Sequence, residues 1–126
     1  MFLKLNHQNL EIFKKSRAFV LKCYKLSKQF PSDEKFGMIS QIRRAALSVH
    51  LNIAEGCSRK SETERKRFFE ISRGSLIEID AAFDVANDLG FLKPLSIDNA
   101  GSLLIECFKM LSAIIESKLK QKMAAH

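Results

Sequence analysis

SVHLNIAEGCSRKSETERKRFF, residues 48–69, begins as an apolar helical repeat, breaks at Gly56 and resumes at Ser61 as a polar helix with a dense basic run. The reading of this corner decides the fold. Gly56 follows the last periodic residues of one helix, where a left-handed C-cap costs glycine nothing. Ser61-Glu62-Thr63-Glu64 is a capping box, with Ser61 set to accept from the Glu64 amide while the Glu64 carboxylate reaches back. A phosphate loop would need a strand before the glycine and a G-x-x-x-x-G-K-[ST] spacing, and the sequence has neither. The glycine is therefore expected to be a corner between two helices of a bundle.

Working outward, the chain divides into four helical segments, at about 8–29, 33–56, 61–89 and 96–120. In the first, Ile12, Phe13, Phe19, Val20, Cys23, Leu26 and Phe30 recur on one side before Phe30-Pro31 stops it. Ser32, Asp33 and Glu34 read as the start of the second, with acidic residues at the positive end of the helix dipole. Its seam is Ile39, Ile42, Ala46, Val49 and Ile53. The third carries Phe69, Ser72, Leu76, Ile79, Phe83 and Ala86, and Gly90 is placed to end it. After Lys93-Pro94-Leu95, the fourth packs with Ile97, Leu104, Cys107, Phe108, Leu111, Ile114 and Ile115. No strand-like alternation interrupts this pattern, and short connections favour antiparallel neighbours. The expectation is an all-α, antiparallel up-down four-helix bundle, one domain over residues 1–126.

Composition narrows the partners. Lys and Arg number 21 against 14 Asp and Glu, a net charge of +7 that favours anionic partners. The excess is local: residues 1–60 hold twelve basic and four acidic side chains, whereas residues 61–95 hold five and seven. Cys23, Cys57 and Cys107 are odd in number and widely spaced, which suggests neither a disulfide framework nor a zinc ribbon and fits a reducing cytoplasm. The opening MFLKLNHQNLEIFKK lacks the apolar run of a signal peptide, and no stretch approaches a membrane span, so a cytoplasmic protein without membrane contact is expected.

The outward faces raise two further expectations. Helical winding puts Gln41, Arg44, Ser48, Asn52 and Glu55 on one arc away from the seam of the second segment, with Leu51 beside them. Small and apolar residues among so few charges suit a helix-to-helix contact between subunits, the alternative being an idle solvent face. In the third segment Gly74 should cost about 1 kcal/mol relative to Ala. With Glu78, Ala81 and Val85 nearby it either forms a shallow groove for another helix or is merely tolerated. Surfaces of this kind on two helices mark a candidate cyclic homo-oligomer.

Gln41-Ile42-Arg43-Arg44-Ala45, Ser48, Asn52-Ile53-Ala54-Glu55-Gly56, Arg67-Phe68, Arg73-Gly74-Ser75-Leu76 with Glu78, and Leu89-Gly90-Phe91 together resemble a known signature. It is that of the four-helix bundle proteins encoded in 23S rRNA intervening sequences, also labelled the S23 ribosomal protein family. The resemblance runs from about Asn6 into the fourth segment. It implies an up-down bundle assembling as a ring-like homopentamer with a basic, nucleic-acid-binding surface. The accessory variability determinant of diversity-generating retroelements is a distant relative with the same bundle, which binds nucleic acid and partners a reverse transcriptase. One departure is His50, where the family often has a proline, so a proline kink is not expected there.

No catalytic motif is found. His7, His50 and His126 lie far apart in sequence, and G-x-S-x-G, H-E-x-x-H and the Glu-x-x-His pairs of bundle di-iron proteins are all missing. Glu55 and Glu78 could form a carboxylate pair, but pairing with Arg44 and Arg73 is the expected arrangement. His50 flanks a core seam and is expected to be a packed side chain. The leading reading is a non-enzymatic oligomer, with no cofactor or metal, that binds nucleic acid, RNA before DNA. The alternatives are a protein-interaction scaffold with an unidentified partner, including a reverse-transcriptase accessory role, and an enzyme of unrecognised type. The candidate nucleic-acid residues are Lys14, Lys15, Lys22 and Lys25 on the first segment, with Lys28 beyond them, and Arg59, Lys60, Arg65, Lys66 and Arg67 at the corner. Simple solvation is the competing account of the lysine stripe. The candidate oligomer interface is Arg44, Ser48, Leu51, Asn52, Glu55, Gly74, Glu78 and Ala81. With one Tyr, no Trp and most Phe on core positions, no aromatic platform for base stacking is expected.

Overall fold

Turn chemistry, more than periodicity, sets where each helix begins and ends. The computed structural model describes residues 2–124, with side chains through Ser117. Residues Asn6–Asn9 form a single 3-10 turn, so helix α1 runs from Glu11 to Ser27 rather than starting at Gln8. Ser32–Glu34 form another such turn, and α2 begins at Met38, one turn later than the Ser-Asp-Glu sequence suggested. The delay has a cause at Gly37, whose backbone is non-helical, while the Glu34 carboxylate accepts from the Met38 amide at 3.1 Å and caps the helix from upstream.

The corner also differs from expectation. Helix α2 continues through Gly56 to Ser58, and Arg59 is the extended residue that leaves it. Gly56 is therefore no left-handed cap. It is buried inside the helix, where an added Cβ would lie 2.6 Å from Cε1 of Phe69, so the missing side chain makes room for that ring. Helix α3, Glu62–Asp88, opens on Ser61, whose hydroxyl accepts from the Glu64 amide at 3.3 Å. It closes as anticipated at Gly90, with φ +75°. Phe91 N donates to Ala86 O and Gly90 N to Asn87 O, both at 3.0 Å, the bond pair of a Schellman motif. Helix α4 runs from Pro94, a residue suited to the first helical position, to Ala124.

Among the described residues these four helices carry the fold without a strand. α1 packs on α2 and α4, and α3 packs on the same two, which is the ring of antiparallel neighbours of an up-down bundle. Every apolar position read from α1 and α3 is buried. The α2 seam is buried from Ile42 to Ile53, with Ile39 half-buried. Ala45 and Ala100 join the core unanticipated, and Phe108 leaves it, 36% exposed beside the exposed Ile77 and Ile105.

Small polar residues let α2 and α3 approach closely. Ser72 Oγ donates to the Val49 carbonyl at 2.7 Å, and Ser75 Oγ to Ser48 Oγ at 3.0 Å. Such bonds satisfy hydroxyls that would otherwise cost about 1–3 kcal/mol each when buried. Between α1 and α2, the Ser16 hydroxyl lies 3.0 Å from the Phe13 carbonyl and 2.7 Å from His50 Nδ1, the direction of the second bond being set by the imidazole tautomer. The His50 ring also lies 4.3 Å from Phe13, and burial, followed by the charges of Arg17 and His7, lowers its pKa. His50 is thus the packed side chain expected, and α2 runs through it without a break.

Candidate nucleic-acid interface

The antiparallel order brings the α2–α3 corner to the end of the bundle where α1 begins, and sends the α1–α2 connection to the opposite end. Cationic side chains gather at both ends. At the first, the corner cluster is partly engaged. The Arg59 guanidinium pairs with Glu55 at 3.0 Å and stacks 4.9 Å from the Phe68 ring, which Arg67 approaches at 6.0 Å. Lys66 pairs with Glu70 at 3.7 Å. Arg65 is half-buried, its Nε shielded from solvent without a hydrogen-bond partner. Lys60 and Arg67 are exposed.

Along α1, Lys14 and Lys25 are exposed and Lys22 half-buried, whereas Lys15 turns to α4 and meets Glu106 at 2.9 Å. That hydrogen bond, and then the Glu106 charge, raises the Lys15 pKa. Beside Lys14 a hollow of about 390 Å³ is lined by Lys4, Gln8, Asn9, Phe13 and Arg17. Sequence reasoning missed Lys4 and Arg17 because it followed the lysine stripe alone.

A second cationic hollow, of about 400 Å³, opens at the other end between α1 and the start of α2. Tyr24, Lys35, Phe36, Ser40, Arg43 and Arg44 line it. Two aromatic rings thus share one hollow with three cations, an arrangement the sequence reading did not anticipate. Tyr24 and Phe36 are separated by a helix end and two turns, so no local pattern joins them.

The proposed subunit contact also changes in detail. Ser48 and Asn52 lie at the α2–α3 seam: Asn52 Nδ2 donates to the Ser48 carbonyl at 2.8 Å and to its hydroxyl at 3.0 Å, and Ser48 in turn accepts from Ser75. Glu55 meets Arg59 rather than Arg44, and Glu78 accepts from Gln41 rather than pairing with Arg73, which reaches across to Ser112 on α4. These links correct the expected Glu–Arg pairings. Leu51 is exposed, as are Arg44, Gly74 and Ala81, and a Cβ at Gly74 would meet nothing within 4 Å. With Leu47, Ile71 and Val85, also exposed, Leu51, Gly74 and Ala81 leave an outer surface of apolar and small residues across α2 and α3, with Arg44, Glu55 and Glu78 exposed among them.

Among the described residues no group of three or more His, Cys, Asp or Glu is arranged to hold a metal, and no helix is long and apolar enough to cross a membrane. Burial pushes the Cys23 and Cys107 thiols up to about 12. The half-buried Cys57 should therefore react first with a thiol reagent, and labelling followed by peptide mass spectrometry should find the other two modified only on unfolding. Early modification of Cys23 would contradict this.

The model of the 23S rRNA-intervening sequence protein family matches residues 8–113. A solved protein of unknown function from the S23 ribosomal protein family of Bacteroides thetaiotaomicron VPI-5482 is similar at 22% identity, with a TM-score of 0.77 over 82% of this chain and 97% of that one. That likeness shows a shared fold. A comparison with the curated proteins finds no match.

Proposed function

This chain belongs to the 23S rRNA-intervening sequence protein family, and we propose that it works as a non-enzymatic, cytoplasmic, oligomeric bundle that binds nucleic acid, RNA before DNA, through its basic surfaces. The observation that carries the reading is the placement of cations: both ends of the bundle hold a hollow lined by three Lys or Arg side chains. Phosphate contacts of this type supply sequence-independent affinity. Anisotropy titrations of labelled single-stranded RNA, single-stranded DNA and duplex DNA at low salt test it. Binding to none of them by the folded protein would overturn the reading in favour of a protein-interaction scaffold.

Assembly into a closed ring, with five copies as the resemblance implies, is part of the same proposal. Gly74 and Ala81, flanked by Leu51, Ile71 and Val85, form a surface on which a second copy can seat closely. Gly74→Leu meets open space within one subunit, so it should leave helix content intact while dissociating the oligomer. Light scattering and circular dichroism on the same samples check this. A wild-type monomer at micromolar concentration would sink the assembly.

A further inference from the structure

Phe36 is 90% exposed on the rim of a cationic groove, and burying such a ring against a ligand would be worth about 1.5–3 kcal/mol. The surroundings define that ligand. Lys35 Nζ lies 5.6 Å from the Phe36 centroid, and the Arg43 guanidinium 4.9 Å from that of Tyr24. Arg43 is held in place by Ser27, whose hydroxyl accepts from Nε at 2.8 Å, and by the Tyr24 carbonyl at 3.4 Å from Nη2. Among the described residues no carboxylate lines the groove. The neighbouring Glu34 is turned to cap α2, and Asp33 is exposed. A purely apolar partner would leave three cations facing it, and an acidic protein surface would leave the rings unused. A nucleotide brings a negative phosphate and a flat base together.

We propose that this groove binds unpaired nucleotides of a single strand, with a base stacked on Phe36, a second face offered by Tyr24, and phosphates met by Lys35, Arg43 and Arg44. The proposal rests on the nucleic-acid reading above and deepens it. In a duplex the base faces are occupied by their neighbours, so an aromatic platform selects strands whose bases are free to leave the stack. A hollow of about 400 Å³ has room for a nucleotide.

Fluorescein-labelled oligouridylate, oligothymidylate and a mixed-sequence duplex provide the test, with wild type and Phe36→Ala compared at several salt concentrations. Because Phe36 is exposed, its loss removes little packing. Single-strand affinity should fall about 5- to 160-fold, as for loss of one base–aromatic stack. The salt slope and the duplex affinity should be unchanged, since no phosphate contact is lost. Phe36→Trp should restore single-strand affinity and its emission should be quenched on binding. Arg44→Gln should instead lower the single-strand salt slope by about 0.7. If Phe36→Ala binds as wild type does, the groove falls and the nucleic-acid reading stands; if wild type binds no strand, both fall. Equal losses for single strand and duplex, or a changed oligomeric state in Phe36→Ala, would also overturn the assignment.

Discussion

Raising salt from about 50 to about 200 mM should weaken single-strand binding roughly a hundredfold, the effect of neutralising about five phosphates at a log–log slope of about −0.7 each. The sign follows from counterion release: each cation that meets a phosphate frees a condensed ion, and added salt opposes that release. The corner cluster's share of the slope can be separated by substitution. Replacing Arg59, Lys60, Arg65, Lys66 and Arg67 with Gln should remove about 0.7 from the slope for each of them that meets phosphate. Arg59 and Lys66 are already paired with Glu55 and Glu70, so the loss should be less than for all of them, and Lys60→Gln with Arg67→Gln should reproduce most of it. Both residues are exposed, so folding and assembly should survive. In a ring the cluster repeats on every copy, and binding measured on the assembly should exceed that of a dissociated Gly74→Leu subunit. A slope near zero in wild type would sink phosphate binding outright.

The bundle was legible because two of its helices carry unambiguous stripes. Positions 3 and 4 apart in α1 and α3 are apolar apart from the buried serines Ser16 and Ser72, and all of those read as core are buried. The Gly90 turn was legible for the same local reason, since a left-handed residue is needed and only glycine adopts it freely. Misreadings arose where the deciding neighbour is distant in sequence. Gly56 looks like a cap until Phe69 is placed beside it, and Phe108 looks like core until Ile77 and Ile105 are seen sharing an open face.

The candidate site was only half legible. The basic residues could be counted, but not their partners across helices: Lys15 is diverted by Glu106 on α4. Two of the corner pairings were within reach, because Glu55–Arg59 and Lys66–Glu70 are four residues apart on a helix, the spacing at which such pairs meet. The Tyr24–Phe36 groove went unread because Ser32–Glu34 reads as the start of α2, whereas the 3-10 turn, Gly37 and the Glu34 cap delay it to Met38. The unread delay leaves Phe36 in the turn before the helix, beside Tyr24.

The same Gly→Ala change should have opposite effects at positions 56 and 74. In a solvent-facing helix the change gains about 1 kcal/mol of helix propensity. At Gly74 nothing lies within 4 Å of the added methyl, so in a dissociated subunit the gain should appear in full. At Gly56 the methyl would sit 2.6 Å from Cε1, 2.9 Å from Cδ1 and 3.1 Å from Cζ of Phe69. That ring is 2% exposed and cannot swing into solvent, so α2 and α3 must separate or the ring must leave its rotamer. Overpacking of this kind costs about 1–3 kcal/mol, which exceeds the propensity gain, and Gly56→Leu should prevent the corner from closing. Thermal and denaturant unfolding measure both changes, at one protein concentration low enough to keep the subunits dissociated, because assembly adds to apparent stability. Phe69→Leu supplies the check on cause: if the clash with the ring is the reason, Gly56→Ala combined with Phe69→Leu should be less unstable than the two single effects added together, by about 1 kcal/mol or more. Strict additivity would mean that Gly56 is required for something other than the approach of Phe69, and the account of the corner as a close-packed helix crossing would be wrong.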